Sequence, residues 1–228
     1  VGVGTYNRFD EARVRQEGVG YLYLSNALHT TRQIRHNIFL DVQMEEIEDT
    51  LKVAKRDGEV AGALIHISGS NYGIGRIQEI RNVILDFKAS GNRVVIGYMN
   101  TCSTGNYLLA SACDRIVLFP SGEVRLVGLR SEVPFYKGVL DKLGIRADLE
   151  HIGEYKSMSE LYTRTNMSDA HREVQNSILD DLYDQLTRSI ADGRNWTQEH
   201  LKQLIDQGPF TAKQALENGL VDQLAYRD

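Results

Sequence analysis

Strand-like and helix-like segments alternate between residues 42 and 152. Residues 60–67 (VAGALIHI) form a short apolar run, which is typical of a strand that is buried on both faces. Residues 74–90 then place apolar side chains on one side of a helix, and Gly91 follows as a stop signal. This alternation predicts an α/β fold in which crossover helices connect the strands of a parallel sheet.

Further elements are predicted on both sides of these two segments. The long helix over 168–192 is expected to begin with Ser168 as its N-cap and to end at Gly193. The helical C-terminal third is expected to pack against the sheet or to reach a neighbouring molecule. The other predicted strands are 19–24, 94–98, 115–119, 123–127 and 146–152, and the other predicted helices are 42–54, 104–113, 134–143, 197–206 and 211–218.

Size and charge narrow the classes of function. The 228 residues are enough for one large domain with a full core. A net charge of -5 without a basic stripe argues against nucleic acid as the main partner. No apolar run approaches the roughly 20 residues of a membrane helix. The chain starts with Val-Gly-Val-Gly, so we expect a processed or excised product from which any anchor or targeting sequence has been removed.

The residue types that bind metals are poorly placed for that role. Cys102 and Cys113 lack metal-ligand spacing and are predicted to be buried free thiols. His66 lies inside an apolar strand and is predicted to be a core residue. We therefore expect neither a metal nor a cofactor. The loop 68–75 could bind an anion or an oxyanion through its N–H groups, but its spacing is not that of a dinucleotide loop.

Two hydroxyl residues follow a predicted strand and begin a helix. Ser103 and Thr104 would be exposed there, near the positive end of the helix, where a nucleophile can be activated. Serine and threonine are also the commonest N-caps. From the residues alone the N-cap is the favoured interpretation.

Lys156 is the candidate for a general base. It lies in the stretch Gly-Glu-Tyr-Lys-Ser (153–157), between a predicted strand and the long helix. A free lysine has a pKa near 10.4, so only about 0.04% of it is neutral at pH 7. Burial or nearby cations must lower this pKa before the amine can act as a base. Composition alone favours a surface lysine.

From about residue 39 onward the sequence resembles the signal peptide peptidase A (SppA) family, serine endopeptidases of the Clp protease/crotonase superfamily. The order of the matching stretches also agrees with the family. The resemblance does not extend to residues 1–38, which are predicted to be an irregular N-terminal segment before one SppA-like domain, 39–228. The matching stretches are residues 102–124, 135–145, 152–173 (IGEYKSMSELYTRTNMSDAHRE) and 211–224 (TAKQALENGLVDQL).

The resemblance implies a Ser–Lys dyad with Lys156 as general base. The family nucleophile normally lies in a Ser-Gly-Gly-Tyr segment. Its position falls on Thr104 here, with Ser103 as the alternative nucleophile. The Gly-Gly pair of the oxyanion loop falls on Asn71 and Tyr72, and the same comparison adds Gly105 to the substrate-binding positions. This sequence thus retains the base but not the usual nucleophile or glycine loop.

The long form of the family has two tandem domains, of which the N-terminal one contributes the lysine. The resemblance therefore implies that this chain is that N-terminal domain, with a crotonase-like spiral of ββα units and C-terminal helices. Its implied partners are signal peptides as substrate, the missing C-terminal catalytic domain, and further copies in a homo-oligomer such as a tetramer. The implied location is the membrane-associated bacterial cell envelope, and the isolated chain is expected to be inactive.

Two alternatives stay open. In the first, Ser103 or Thr104 completes the site within this chain. In the second, the chain is a non-catalytic scaffold that assembles oligomers or binds extended peptides.

Overall fold

The computed structural model describes residues 19–22, 37–43, 47–58, 60–68, 72–91, 93–150 and 152–226. These residues form two compact units. The first contains the described residues up to Val127 together with those from Ser189 onward, and the second contains Gly128–Arg188. The predicted boundary at residue 38 stays a prediction.

The strands, numbered in chain order, are β1 Val19–Leu22, β2 Asn37–Gln43, β3 Val60–His66, β4 Val94–Met99, β5 Cys102–Ser103, β6 Arg115–Leu118, β7 Glu123–Arg125, β8 Phe210–Thr211 and β9 Gln223–Leu224. The helices are α1 Ile47–Ala54, α2 Ile74–Ala89, α3 Thr104–Ala110, α4 Lys137–Lys142, α5 Glu160–Thr163, α6 Asp169–Arg194, α7 Gln198–Gln207 and α8 Ala212–Glu217, and a 3-10 turn spans Ser157–Ser159.

The first unit is built on a parallel sheet of six strands, in the order β1-β2-β3-β4-β6-β9. A second sheet has the order β5-β7-β8. The chain passes from β4 to β5 and then into α3, so one strand of each sheet and a helix form a ββα unit. The predicted α/β fold with a parallel sheet is confirmed.

The core lies between β3, β4 and the helices that cross over them. Ile65 in β3 and Ile84 in α2 are both fully buried, as the apolar run and the helical periodicity predict. At the other end of the sequence, β9 pairs with β6, and β8 pairs with β7. Strands β8 and β9, close to the C-terminus, therefore each join one of the two sheets of the first unit.

Helix α6 does not end where the sequence predicts. Gly193 lies inside the helix, and the chain leaves it after Arg194 through Asn195, which has a φ of 55°. A Cβ atom on Gly193 would lie 2.1 Å from the carbonyl oxygen of Ser111. The glycine is thus needed for a close approach between two backbones, and it is not a C-terminal stop.

Arg81, a residue of α2, stabilises the contact between α6 and the end of α3 through hydrogen bonds. Its side chain is buried, and its guanidinium donates to the carbonyl of Leu108 at 3.1 Å and to the hydroxyl of Ser111 at 2.8 Å. A third bond, of 2.5 Å, reaches the carbonyl of Ser189 in α6. One buried cation therefore satisfies carbonyl groups at the end of α3 and in α6.

The second unit contains α4, the 3-10 turn, α5 and most of α6. The predicted strand over 146–152 is wrong for the described residues 146–150 and 152, which are irregular. Apolar and polar side chains alternate there, but Ile145 and Leu149 are half exposed and no described strand lies in this unit to pair with the segment. Alternation alone does not make a strand when the ladder partner is missing.

Candidate active site

A turn that requires glycine leads into Lys156. Gly153 has a φ of 98°, a conformation that L side chains rarely adopt. The amide of Lys156 donates to the carbonyl of Gly153 at 3.2 Å and closes the turn. The 3-10 turn Ser157–Ser159 begins directly after the lysine, so its backbone lies between two tight turns.

The side chain of Lys156 is exposed. Within the described part of its own unit, its Nζ makes no hydrogen bond or ion pair. A lysine needs burial or nearby cations to become a base at neutral pH. The burial that the predicted role requires must therefore come from a surface that covers this exposed side chain.

The segment around the lysine is attached to α6 at two places. The hydroxyl of Tyr155 donates to the carboxylate of Glu173 at 3.3 Å, and the charge of Glu173 raises the pKa of Tyr155. Glu160 is buried, and its carboxylate faces Ser168 and His171 at the start of α6.

Glu160 is charged despite its burial. Desolvation raises the pKa of this carboxyl, but the hydrogen bonds from the Ser168 hydroxyl and amide, together with His171, lower the pKa below its ordinary value. Sequence reasoning missed Glu160 and His171. The hydroxyl of Ser168 accepts from the amide of His171 as the predicted N-cap, and the acid that meets this hydroxyl lies eight residues upstream, outside the spacing of a capping box.

Ser103 and Thr104 lie in the first unit, and both hydroxyls have backbone partners. The Oγ of Ser103 accepts from the amide of Asn106 at 3.2 Å and caps α3, which confirms the N-cap interpretation. The Oγ1 of Thr104 donates to the carbonyl of Val127 at 2.8 Å and accepts from its amide at 3.2 Å. The Thr104 hydroxyl thus continues the hydrogen bonding between β5 and β7 by one residue beyond the end of β5.

Two of the remaining predicted site residues, Tyr72 and Gly105, lie near the starts of α2 and α3. Asn71 falls outside the described residues. Tyr72 is partly exposed, and Gly73 after it begins α2 without a side-chain cap. A Cβ on Gly105 would lie 3.0 Å from Cδ1 of Ile77, so α2 and α3 pack closely at this glycine. The substrate-binding roles of these positions stay predictions.

The two cysteines are buried free thiols, as the sequence predicts. Burial raises the pKa of both thiols, that of Cys113 to about 12. Neither is therefore suited to nucleophilic chemistry. Among the described residues, no group of three or more His, Cys, Asp or Glu side chains is arranged to hold a metal ion. None of the helices in the described ranges is long and apolar enough to cross a bilayer.

The six-stranded parallel sheet with its ββα unit defines a protein of the mixed α/β class. One solved structure with this fold is a variant of the 1510-N membrane-bound stomatin-specific protease in complex with a substrate peptide. It superposes with a TM-score of 0.51 at 13% identity, over 86% of this chain and 78% of that chain. At this identity the likeness concerns the fold alone.

Sequence comparison then identifies the family. The profile of peptidase family S49 matches residues 86–228, and the chain belongs to this family. "Serine protease SPPA, chloroplastic" from Arabidopsis thaliana is 30% identical over 216 residues, 95% of this chain and 32% of that protein. "Putative signal peptide peptidase SppA" from Enterococcus faecium is 27% identical over 207 residues, 88% of this chain and 56% of that protein. These relatives confirm the predicted SppA resemblance, and the chain spans between a third and about half of their length.

Proposed function

We propose that this chain supplies the general base, Lys156, of a Ser–Lys dyad in a serine endopeptidase, and that another domain or subunit supplies the serine. The base would take the proton from the serine hydroxyl as the serine attacks the peptide carbonyl, and would later give it to the leaving amine. The observation that carries the proposal is the placement of the lysine. Its side chain is exposed, but a tight turn on each side of the residue restrains its backbone.

The side chains next to Lys156 support the proposal that a partner surface covers this lysine. Ile152 is 87% exposed, Met158 is 78% exposed and Tyr155 is 55% exposed. Large apolar side chains that cluster on a surface mark sites of interaction. A partner that covers them would also bury the ammonium and lower its pKa, which is the condition for base catalysis at neutral pH.

The hydroxyl groups of the first unit support a dyad whose serine comes from another domain or subunit. The Ser103 hydroxyl accepts the bond that caps α3, and the Thr104 hydroxyl binds the backbone of Val127. A nucleophile at Thr104 would first have to give up two hydrogen bonds, each of about 1 kcal/mol. We therefore favour a serine from outside this chain over a complete single-chain site.

The proposed substrate is supported by the name of a relative, and the proposed assembly by the resemblance to the SppA family. A relative carries the name signal peptide peptidase, so we propose cleaved signal peptides, with small and apolar side chains, as the substrate. We propose further that the enzyme is a homo-oligomer, such as a tetramer, at the membrane of the bacterial cell envelope, with its anchor outside this chain. In this arrangement the chain is the lysine-donating N-terminal domain of a two-domain protein.

Peptidase assays on matched proteins test the dyad. We expect the 228-residue chain alone to leave a fluorogenic apolar peptide intact, and the full-length protein that contains it to cleave the peptide. Lys156→Ala in the full-length protein should lower kcat by about 10³-fold, within the range for loss of a general base. Lys142→Ala, at an exposed lysine in the same unit, is the matched control and should retain full activity.

The same assays separate the alternatives. Cleavage by the 228-residue chain that Ser103→Ala or Thr104→Val stops would establish a single-chain site and refute the split dyad. Full activity of Lys156→Ala in the full-length protein would remove the lysine from the mechanism. An inactive full-length protein that still binds the peptide would indicate a scaffold.

A further inference from the structure

Glu160 is a buried carboxylate in a segment that is otherwise largely exposed. It lies four positions after Lys156, and the three intervening residues form the 3-10 turn Ser157–Ser159. The amide of Glu160 donates back to the carbonyls of Met158 and Ser157, so the turn is continuous with the glutamate. A buried acid next to an exposed candidate base needs a physical explanation, because burial of a charge is costly unless it is compensated.

Three contacts compensate this charge, all from the start of α6. The Oγ of Ser168 donates to Oε1 at 2.5 Å, and the amide of Ser168 donates to Oε2 at 3.0 Å. The Nδ1 of His171 lies 3.1 Å from Oε2. The same Ser168 hydroxyl accepts from the amide of His171 at 3.1 Å, so the N-cap and the glutamate form one network. A carboxylate at the N-terminal end of a helix also interacts favourably with the helix dipole.

A second attachment lies on the other side of the lysine. Tyr155 directly precedes Lys156 and donates to Glu173, one turn into the 26-residue helix α6. Both attachments therefore join the lysine segment to the same helix. The Tyr155 contact is exposed and contributes little, whereas the Glu160 contact is buried and doubly hydrogen-bonded.

We propose that Glu160 is a positioning residue for Lys156: by fixing the 3-10 turn to the start of α6, it sets the place from which the amine reaches the reacting serine. This inference rests on the proposed role of Lys156 as base. The glutamate touches neither serine nor substrate, and it acts through the backbone of residues 156–160. Base catalysis depends on such placement, because a misplacement of about 1 Å costs about 100-fold in rate.

Kinetics of the full-length protein test the proposal. Glu160→Ala should lower kcat by about 100-fold per folded enzyme and leave KM within about twofold, because it misplaces the base without removing substrate contacts. Glu160→Gln keeps the shape and one acceptor oxygen, so it should recover most of this loss. Ser168→Ala removes the hydroxyl's bonds to Glu160 and to the amide of His171 but keeps the bond from the Ser168 amide to the carboxylate, so it should lower kcat less than Glu160→Ala. Glu150→Gln, at an exposed glutamate of the same unit, is the control and should match the wild type.

Hydrogen exchange of the 228-residue chain gives a readout that does not depend on activity. In Glu160→Ala, the amides of residues 156–160 should exchange at least about tenfold faster, while the sheet of the first unit keeps its protection. A wild-type kcat, or unchanged exchange in 156–160, would overturn the positioning role. The positioning role would also be overturned if the activity lost in Glu160→Ala were fully explained by a lower fraction of folded protein.

The two hypotheses fail in different ways. If Lys156→Ala retains activity, the dyad is refuted whatever Glu160 does. If Lys156→Ala is inactive and Glu160→Ala has the wild-type kcat, the dyad stands and the positioning role is refuted.

Discussion

Replacement of Gly193 by alanine tests whether two backbones must approach as closely as the structure indicates. The new Cβ would lie 2.1 Å from the carbonyl oxygen of Ser111, about 1.3 Å less than an ordinary contact of 3.4 Å. It would also lie 2.9 Å from the carbonyl carbon of Ser111 and 3.1 Å from Nη2 of Arg81. The obstacle is backbone, which cannot rotate away as a side chain can, so α6 or the end of α3 must move.

Three terms set the size of the effect. Forcing extra volume into a packed region costs about 1–3 kcal/mol. The shift stretches the bond from Arg81 to Ser189, and a hydrogen bond to a charged group contributes about 1.5–3 kcal/mol. Alanine recovers about 1 kcal/mol through its higher helix propensity. We expect Gly193→Ala to lower the free energy of unfolding by about 3 kcal/mol, which corresponds to a Tm lower by about 6–12 °C in a protein of this size.

Thermal unfolding followed by circular dichroism measures this directly. Gly75→Ala is the matched control, since Gly75 also lies in a helix of the first unit and no atom of the described residues lies within 4 Å of its added Cβ. The control should equal or exceed the wild type in stability by up to about 1 kcal/mol. If Gly193→Ala behaves like the control, the close approach to Ser111 does not exist and the argument is refuted.

Three other predictions concern single side chains. Gly153→Ala places an L side chain at a φ of 98° and should cost about 1–3 kcal/mol of local strain, seen as faster proteolytic cleavage of the segment before Lys156. Cys102 and Cys113 should resist alkylation at pH 8 in the native protein, because burial raises the pKa of both thiols, and both should react in guanidinium; rapid native labelling would contradict their burial. The lowered pKa of Glu160 means that its charge stabilises the fold above the ordinary glutamate pKa of about 4.3 and that this contribution is lost as the pH falls further. The stability difference between the wild type and Glu160→Gln should therefore shrink on acidification below about pH 4.3, and a constant difference would contradict the assignment.

Local patterns predicted much of the first unit. The apolar run 60–67 is strand β3, and the amphipathic segment 74–90 is helix α2, each within one residue of its observed end. The predicted helices 197–206 and 211–218 are α7 and α8, and the first residue of each prediction, Thr197 or Thr211, is the N-cap of the helix. These features depend on residues that are close in sequence, which is why periodicity and capping preferences can identify them.

The candidate site was predictable only in part. The Gly-Glu-Tyr-Lys-Ser stretch singles out Lys156, and its resemblance to the SppA family suggests its role. The surroundings of Lys156 were not predictable. Glu160 in α5 contacts Ser168 and His171 at the start of α6, and no local sequence motif encodes a contact over 8 or 11 residues. The roles of Asn71, Tyr72 and Gly105 stay predictions.

The sequence by itself determined the class of the fold, individual elements such as β3 and α2, and the residue most worth testing as a base. Tertiary structure decided what each local signal means. Gly193 has the sequence signature of a helix end, but it serves a close approach to Ser111. Residues 146–152 alternate like a strand, but the described ones form none because a ladder needs a second strand. The physical reason is common to both cases: a local preference contributes about 1 kcal/mol or less, and a contact between distant segments can outweigh it.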